Sequence, residues 1–107
     1  MQANRITGYQ KFHDAAEAKF GNLMQKTTKL AVDFDTLLAA TLLASALADL
    51  TYAEHLEPGR YSKLVRNTET SFQQTLDRLA PNAVKGVAKQ YSESLNEMLP
   101  GPPGKSY

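Results

Sequence analysis

The chain has 107 residues, 42% of them apolar and 21% charged, with a net charge of +1. That length makes one domain, and the near-neutral balance supplies no field that would gather nucleic acid or anionic lipid. Cysteine is absent, which excludes disulfides, thiolate metal sites and cysteine nucleophiles together.

The N-terminal stretch MQANRITGYQKFHD has no apolar signal-peptide core. Asn4 or Thr7 is positioned to cap a first helix. Tyr9, Phe12, Ala16, Phe20, Leu23, Thr27, Leu30 and Phe34 then recur at spacings of three and four, a narrow stripe close to a coiled-coil seam. Lys11, Asp14, Glu17 and Lys19 fall between them as a solvated face. Gly21 weakens such a helix by about 1 kcal/mol relative to alanine without having to break it.

The stretch Thr36–Leu50, TLLAATLLASALADL, places leucines on every side of a helix. A helix apolar all round belongs in an interior. At about 100° per residue, Leu37, Leu38, Thr41, Leu42, Ser45, Tyr52 and Leu56 stay on the side of Tyr9 and Phe12. No proline intervenes. This phase predicts one N-terminal helix over about residues 5–56, about 75 Å long. The alternative is a kink near 33–35, with Asp33 or Asp35 as a new cap, which permits a four-helix bundle. The uncharged run Thr36–Ala48 is too short to cross a bilayer and is flanked by Asp33, Asp35 and Asp49. A cytoplasmic protein without a membrane span is expected.

Glu57-Pro58-Gly59-Arg60 reads as a turn, with proline in its second position and glycine in its third, where φ is positive. Ser62 follows as a candidate cap. Leu64, Val65, Thr68, Phe72, Leu76 and Leu79 form an amphipathic stripe. Pro81 ends that helix and starts another, since Val84, Val87, Tyr91, Leu95 and Met98 lie about 100° away from the earlier stripe. Two antiparallel helices over about 62–80 and 82–99 are therefore expected, with a corner at Pro81 flanked by buried Leu79 and Val84. Leu42, Leu43, Leu47, Phe72 and Leu76 are the expected core. The fold class is all-α, a helical bundle in one domain over 1–99, with 100–107 as a disordered tail.

Few residues carry chemistry. His13 and Glu17 share a helix face, and His55 sits beside Glu54, but neither histidine has the Glu-x-x-His spacing of a helical di-metal site. Asp33 and Asp35 point to different sides of a helix, so capping or solvation explains them. Gly101–Ser106 resembles the end of a phosphate-binding loop but lacks the preceding strand and the following helix. No serine or threonine sits in a nucleophile elbow. No catalytic, cofactor or metal site is expected. Thr70–Ser92 has a loose helix-turn-helix look, with Lys63, Arg66, Arg78, Lys85 and Lys89 nearby. Acidic residues intersperse, so a small helical DNA-binding regulator using residues 62–99 is the alternative reading and nucleic acid is disfavoured as a partner.

Two short helices cover Thr36–Leu50 but leave too little to cover the N-terminal stripe. Tyr9, Phe12, Phe20, Leu23 and Leu30 are therefore the expected partner-binding residues, facing a second copy in a homodimer or higher oligomer, or another helical protein. The expected function is a non-enzymatic interaction subunit: a small adaptor, assembly factor or chaperone-like protein.

Overall fold

Asp33 starts a new helix. Its carboxylate accepts the main-chain N–H of Thr36 at 3.0 Å and the Thr36 hydroxyl at 2.5 Å, which satisfies donors that the first turn of any helix leaves open. The computed structural model describes residues 2–25, 33–79 and 86–99, with side chains from residue 8 onward. Four helices run through them: α1 (Gln2–Met24), α2 (Phe34–Leu56), α3 (Ser62–Leu79) and α4 (Val87–Met98). The expected all-α bundle is the fold. The single helix over 5–56 is not: the chain breaks between α1 and α2 and reverses, the outcome offered by the alternative of a new cap at Asp33.

The reversal is read from side chains. Tyr9, early in α1, meets Asp49 and Tyr52, late in α2, while Phe20 and Gly21 share a groove with Thr41 and Ala44. The same pattern repeats along the chain. Glu54 at the end of α2 reaches Tyr61 and Ser62 at the start of α3. Gln73 of α3 accepts the N–H of Ala88 in α4 at 3.0 Å, and Met98 of α4 returns to Gly8, Phe12 and Ala15 of α1. The connectivity is up-down-up-down, the simplest way to bury four amphipathic faces with short connections.

The helical phase of α1 does not carry over into α2. The inward face of α2 is Ala40, Ala44, Leu47, Ala48, Thr51 and Tyr52, about 100° away from the leucine face that continued the stripe of α1. Alanines let α1, α3 and α4 approach the backbone of α2 closely, and those helices bring the bulk: Phe12, Phe72, Leu76, Tyr91 and Leu95. Of the expected core, Leu47, Phe72 and Leu76 are fully buried and Leu43 is half-buried, but Leu42 is exposed. Phe20, Phe72 and Tyr91 form a ring cluster joining α1, α3 and α4, with centroids 5.5 to 6.1 Å apart, the tilted and edge-on geometry that aromatic quadrupoles favour. The Tyr91 hydroxyl donates to the Ala44 carbonyl at 2.9 Å and adds α2 to the same layer. Thr51 Oγ1 is buried with no hydrogen-bond partner among the described residues.

The connections follow local chemistry. Gly59 has φ of 92°, as the Pro-Gly turn requires. Ser62 is the first helical residue of α3 rather than its cap. The capping is done from across the turn, where Glu54 accepts the N–H of Gly59 at 2.6 Å, the N–H of Tyr61 at 2.7 Å and the Ser62 hydroxyl at 2.9 Å. These donors hold its carboxyl below the usual glutamate range. Asn4 and Thr7 lie inside α1, which already begins at Gln2. The fourth helix does not run unbroken from residue 82. Gly86 has φ of 77°, a left-handed conformation outside any α-helix, and α4 begins after it. Leu79 is half-buried. Pro81, Val84 and residues 100–107 lie outside the described residues.

Candidate interaction surface

Of the residues expected to bind a partner, Phe12 is buried in the bundle and Tyr9, Phe20 and Leu23 are partly buried against its core. Phe12 is 4% exposed and packs on Tyr52 at 5.2 Å between ring centroids. Phe20 belongs to the ring cluster with Phe72 and Tyr91, and Leu23 packs against the same core. Tyr9 stacks edge-on to Tyr52 and donates its hydroxyl to Asp49 Oδ1 at 2.8 Å. That bond pushes its phenol above the usual tyrosine range. Leu30 lies outside the described residues. The stripe is thus brought together as an interior face, covered by α2, α3 and α4 of the same chain. Among the described residues of the stripe, the surface that motivated a partner at this position is packed against the chain's own core.

Among the described residues a row of exposed large apolar side chains lies on α2, with Leu56 and Leu64 exposed apart from it. Phe34 is 72% exposed, Leu38 47% and Leu42 63%. Their spacing of four residues puts them one above the next on a single face. Ala46, one turn on, is also exposed, and no charged residue occurs from Thr36 to Ala48. Isolated exposed leucines need no explanation. A contiguous strip of large apolar side chains is different, because soluble monomers seldom leave such patches uncovered.

Beside the strip, residues of α1 and α2 line a half-open cavity of about 290 Å³. Ala16, Ala44 and Ala48 form its floor, Phe20 and Tyr91 its aromatic end, and Thr41 and Ser45 the wall shared with the strip. His13 and Glu17 stand at the rim. His13 Nε2 meets Glu17 Oε1 at 2.8 Å and Nδ1 meets Asp49 Oδ1 at 3.3 Å. Far from being a free surface group, His13 ties α1 to α2. Its two nitrogens point to different carboxylates, so the three side chains do not converge on one point, and no group of three or more potential ligands among the described residues is arranged to hold a metal ion. Burial pushes the Tyr91 phenol well above the usual tyrosine range, so its hydroxyl remains a donor to Ala44.

The sequence places Thr36–Leu50 in the interior and rightly buries Leu47, but it also buries Leu42 and gives no account of the contacts of Tyr9 and His13 with Asp49. A signal was present: Asp49 is the charge that closes the uncharged run of α2, and Tyr9 and His13 are polar aromatics one turn apart on α1. The 23-residue α2 contains an 18-residue stretch of mean hydropathy 1.4, long and apolar enough by length and composition to cross a bilayer, beyond what the shorter uncharged run indicated. In the bundle 33% of that stretch is buried. No protein-family model, curated protein or solved structure matches the chain.

Proposed function

We propose that this protein is a non-enzymatic interaction subunit, of the adaptor, assembly-factor or chaperone-like kind, that works by presenting one apolar helix face to another protein. The observation that carries the reading is the exposed row Phe34, Leu38 and Leu42 on α2. Covering three such side chains is worth on the order of 3–5 kcal/mol from apolar burial alone. The row sits on the helix that also packs against all three others, so a partner bound there would find a rigid platform with little ordering cost.

The test places a photo-crosslinking residue at the exposed Thr41 and compares wild type with Leu38→Glu/Leu42→Glu in lysate from the source cell. Wild type should trap a discrete protein band that the double variant does not, with both proteins equally helical and equally stable to denaturant. Identical crosslinks from the two proteins would remove α2 as the working surface.

A further inference from the structure

The cavity between α1 and α2 has the features of an anchor pocket, and its rim says what kind of anchor enters. Its floor is alanine and its end is aromatic, suited to one bulky apolar side chain. A cavity of about 150 Å³ already admits benzene, and this one is about 290 Å³. Carboxylates from both helices flank His13 at the rim: Glu17 of α1 is 67% exposed and Asp49 of α2 is 46% exposed. Asp14, one turn before Glu17, is exposed as well. Among the described residues no lysine or arginine lines the cavity. Lys11 instead lies beside Met98 on the α4 side of α1. On α2 the wall continues into Leu38 and Leu42, and Asp35 precedes Leu38 by one turn.

We infer that the groove between α1 and α2 receives a basic amphipathic helix from a partner protein, with one apolar side chain seated in the cavity and lysine or arginine residues facing Asp14, Glu17 and Asp49. The inference rests on the proposed function and makes it specific. A trough between two antiparallel helices is shaped to take a third helix by ridge-and-groove packing. The α2 edge from Phe34 to Ala48 corresponds to about 21 Å of axis, the length of a partner segment of about 14 residues. Asp14 and Glu17 on the α1 edge, with Asp49 at the far end of the α2 edge and leucine along the rest of it, complement a helix that is basic on one edge and apolar on the next. Charge complementarity of this kind sets partner choice and orientation, while the buried anchor supplies most of the affinity.

The probes are synthetic 15-residue helical peptides with a leucine face and a central leucine, methionine or phenylalanine anchor. One series is flanked by lysine, a second has glutamate at the same positions, and a third is the lysine series scrambled to destroy the apolar face. Binding is measured by calorimetry at two salt concentrations, and the site is located by amide shift changes in labelled protein. The lysine series should bind at least tenfold tighter than the glutamate series, with shifts centred on His13, Gly21 and Ser45. Ser45→Phe, and independently the more exposed Thr41→Phe, should weaken binding tenfold or more by filling the cavity, while circular dichroism shows each variant still folded. Asp14→Lys/Glu17→Lys should cancel or invert the charge preference.

Equal binding of the lysine and glutamate series overturns the inference, as does equal binding of the scrambled peptides. So does insensitivity to both filling variants, or no binding of any series. The crosslinking comparison on α2 separates this failure from that of the broader reading. If Leu38→Glu/Leu42→Glu still abolishes a crosslink, the interaction face stands and only the basic-helix occupant falls; if it does not, both fall.

Discussion

The hydroxyl of Tyr91 donates to the carbonyl of Ala44 at 2.9 Å, through the interior of the bundle and onto the alanine face of α2. Tyr91 is the largest of the fully buried side chains, and its ring also meets Phe20 and Phe72. Tyr91→Phe keeps the rings and removes one buried bond. It should cost about 1 kcal/mol in denaturant unfolding, whereas Tyr91→Ala should cost about 3–5 kcal/mol, the usual range for a buried aromatic. Equal losses for the two would assign the stability to the bond rather than to the packing.

Leucines on opposite sides of α2 should behave differently. Leu47 is fully buried, so Leu47→Ala should destabilise by about 2–5 kcal/mol. Leu42→Ala, on the exposed face, should fall within about 0.5 kcal/mol of wild type. For the same reason Phe12→Asp with Phe20→Asp places charges in the interior and should unfold the chain, seen as loss of helical circular dichroism, instead of separating subunits.

Acid should weaken the turn between α2 and α3. The carboxyl of Glu54 is held low by the N–H groups of Gly59 and Tyr61, with the Ser62 hydroxyl adding to them, and that of Asp33 by the hydroxyl and N–H of Thr36. A carboxylate whose folded pKa lies below its unfolded one contributes stability that is full above the unfolded value. That contribution is lost as pH falls through the folded value. With unfolded values of about 4.3 and 3.9, melting temperatures should hold from pH 7 to about 5 and decline below about pH 4.3. Glu54→Gln should lower the plateau and flatten the acid decline; an unchanged acid slope would place its origin elsewhere.

Two glycines should respond in opposite directions to alanine. A Cβ at Gly21 meets nothing within 4 Å, and the residue is helical, so Gly21→Ala should stabilise by about 0.5–1 kcal/mol. Gly86 has φ of 77°, where a Cβ is strained, so Gly86→Ala should cost about 1 kcal/mol or more. Thermal melts of the two variants should move to opposite sides of wild type.

Thr51→Val should be neutral or stabilising. Its Oγ1 is buried without a partner among the described residues, and valine fills nearly the same volume without leaving a polar atom unsatisfied. A loss above about 1 kcal/mol in chemical denaturation would show that the hydroxyl has a partner in solution.

The helices and the Pro-Gly turn were legible because local rules govern them: spacing of apolar residues, proline and glycine at turn positions, aspartate ahead of a helix. What was not legible is which face of α2 turns inward. Leu38 and Leu42 are more apolar than Ala40 and Ala44, and an isolated reading buries the leucines. Interhelical distance reverses that choice, because the space beside α2 is already occupied by Phe12, Phe72 and Tyr91 from elsewhere in the chain. The same non-local fact hid the reversal after α1. A helical phase carried across a gap states where side chains would point if the helix continued, and it contains no information on whether it does. Gly86 was readable in principle, as a glycine immediately before an apolar-periodic segment, but Pro81 offered an earlier and more familiar start.

Met98 lies beside Gly8 and Phe12, so the first turns of α1 and the last turn of α4 share one pole of the bundle, together with the turn between α2 and α3. Phe34 and the cap at Asp33 are at the other pole. In engineering terms the bundle is insertable: a short linker at each side would graft it into a surface loop of a host protein without stretching either domain. A fluorophore or a surface-tethering group attached at the shared pole would leave the apolar row of α2 pointing away from the attachment, free for measurement.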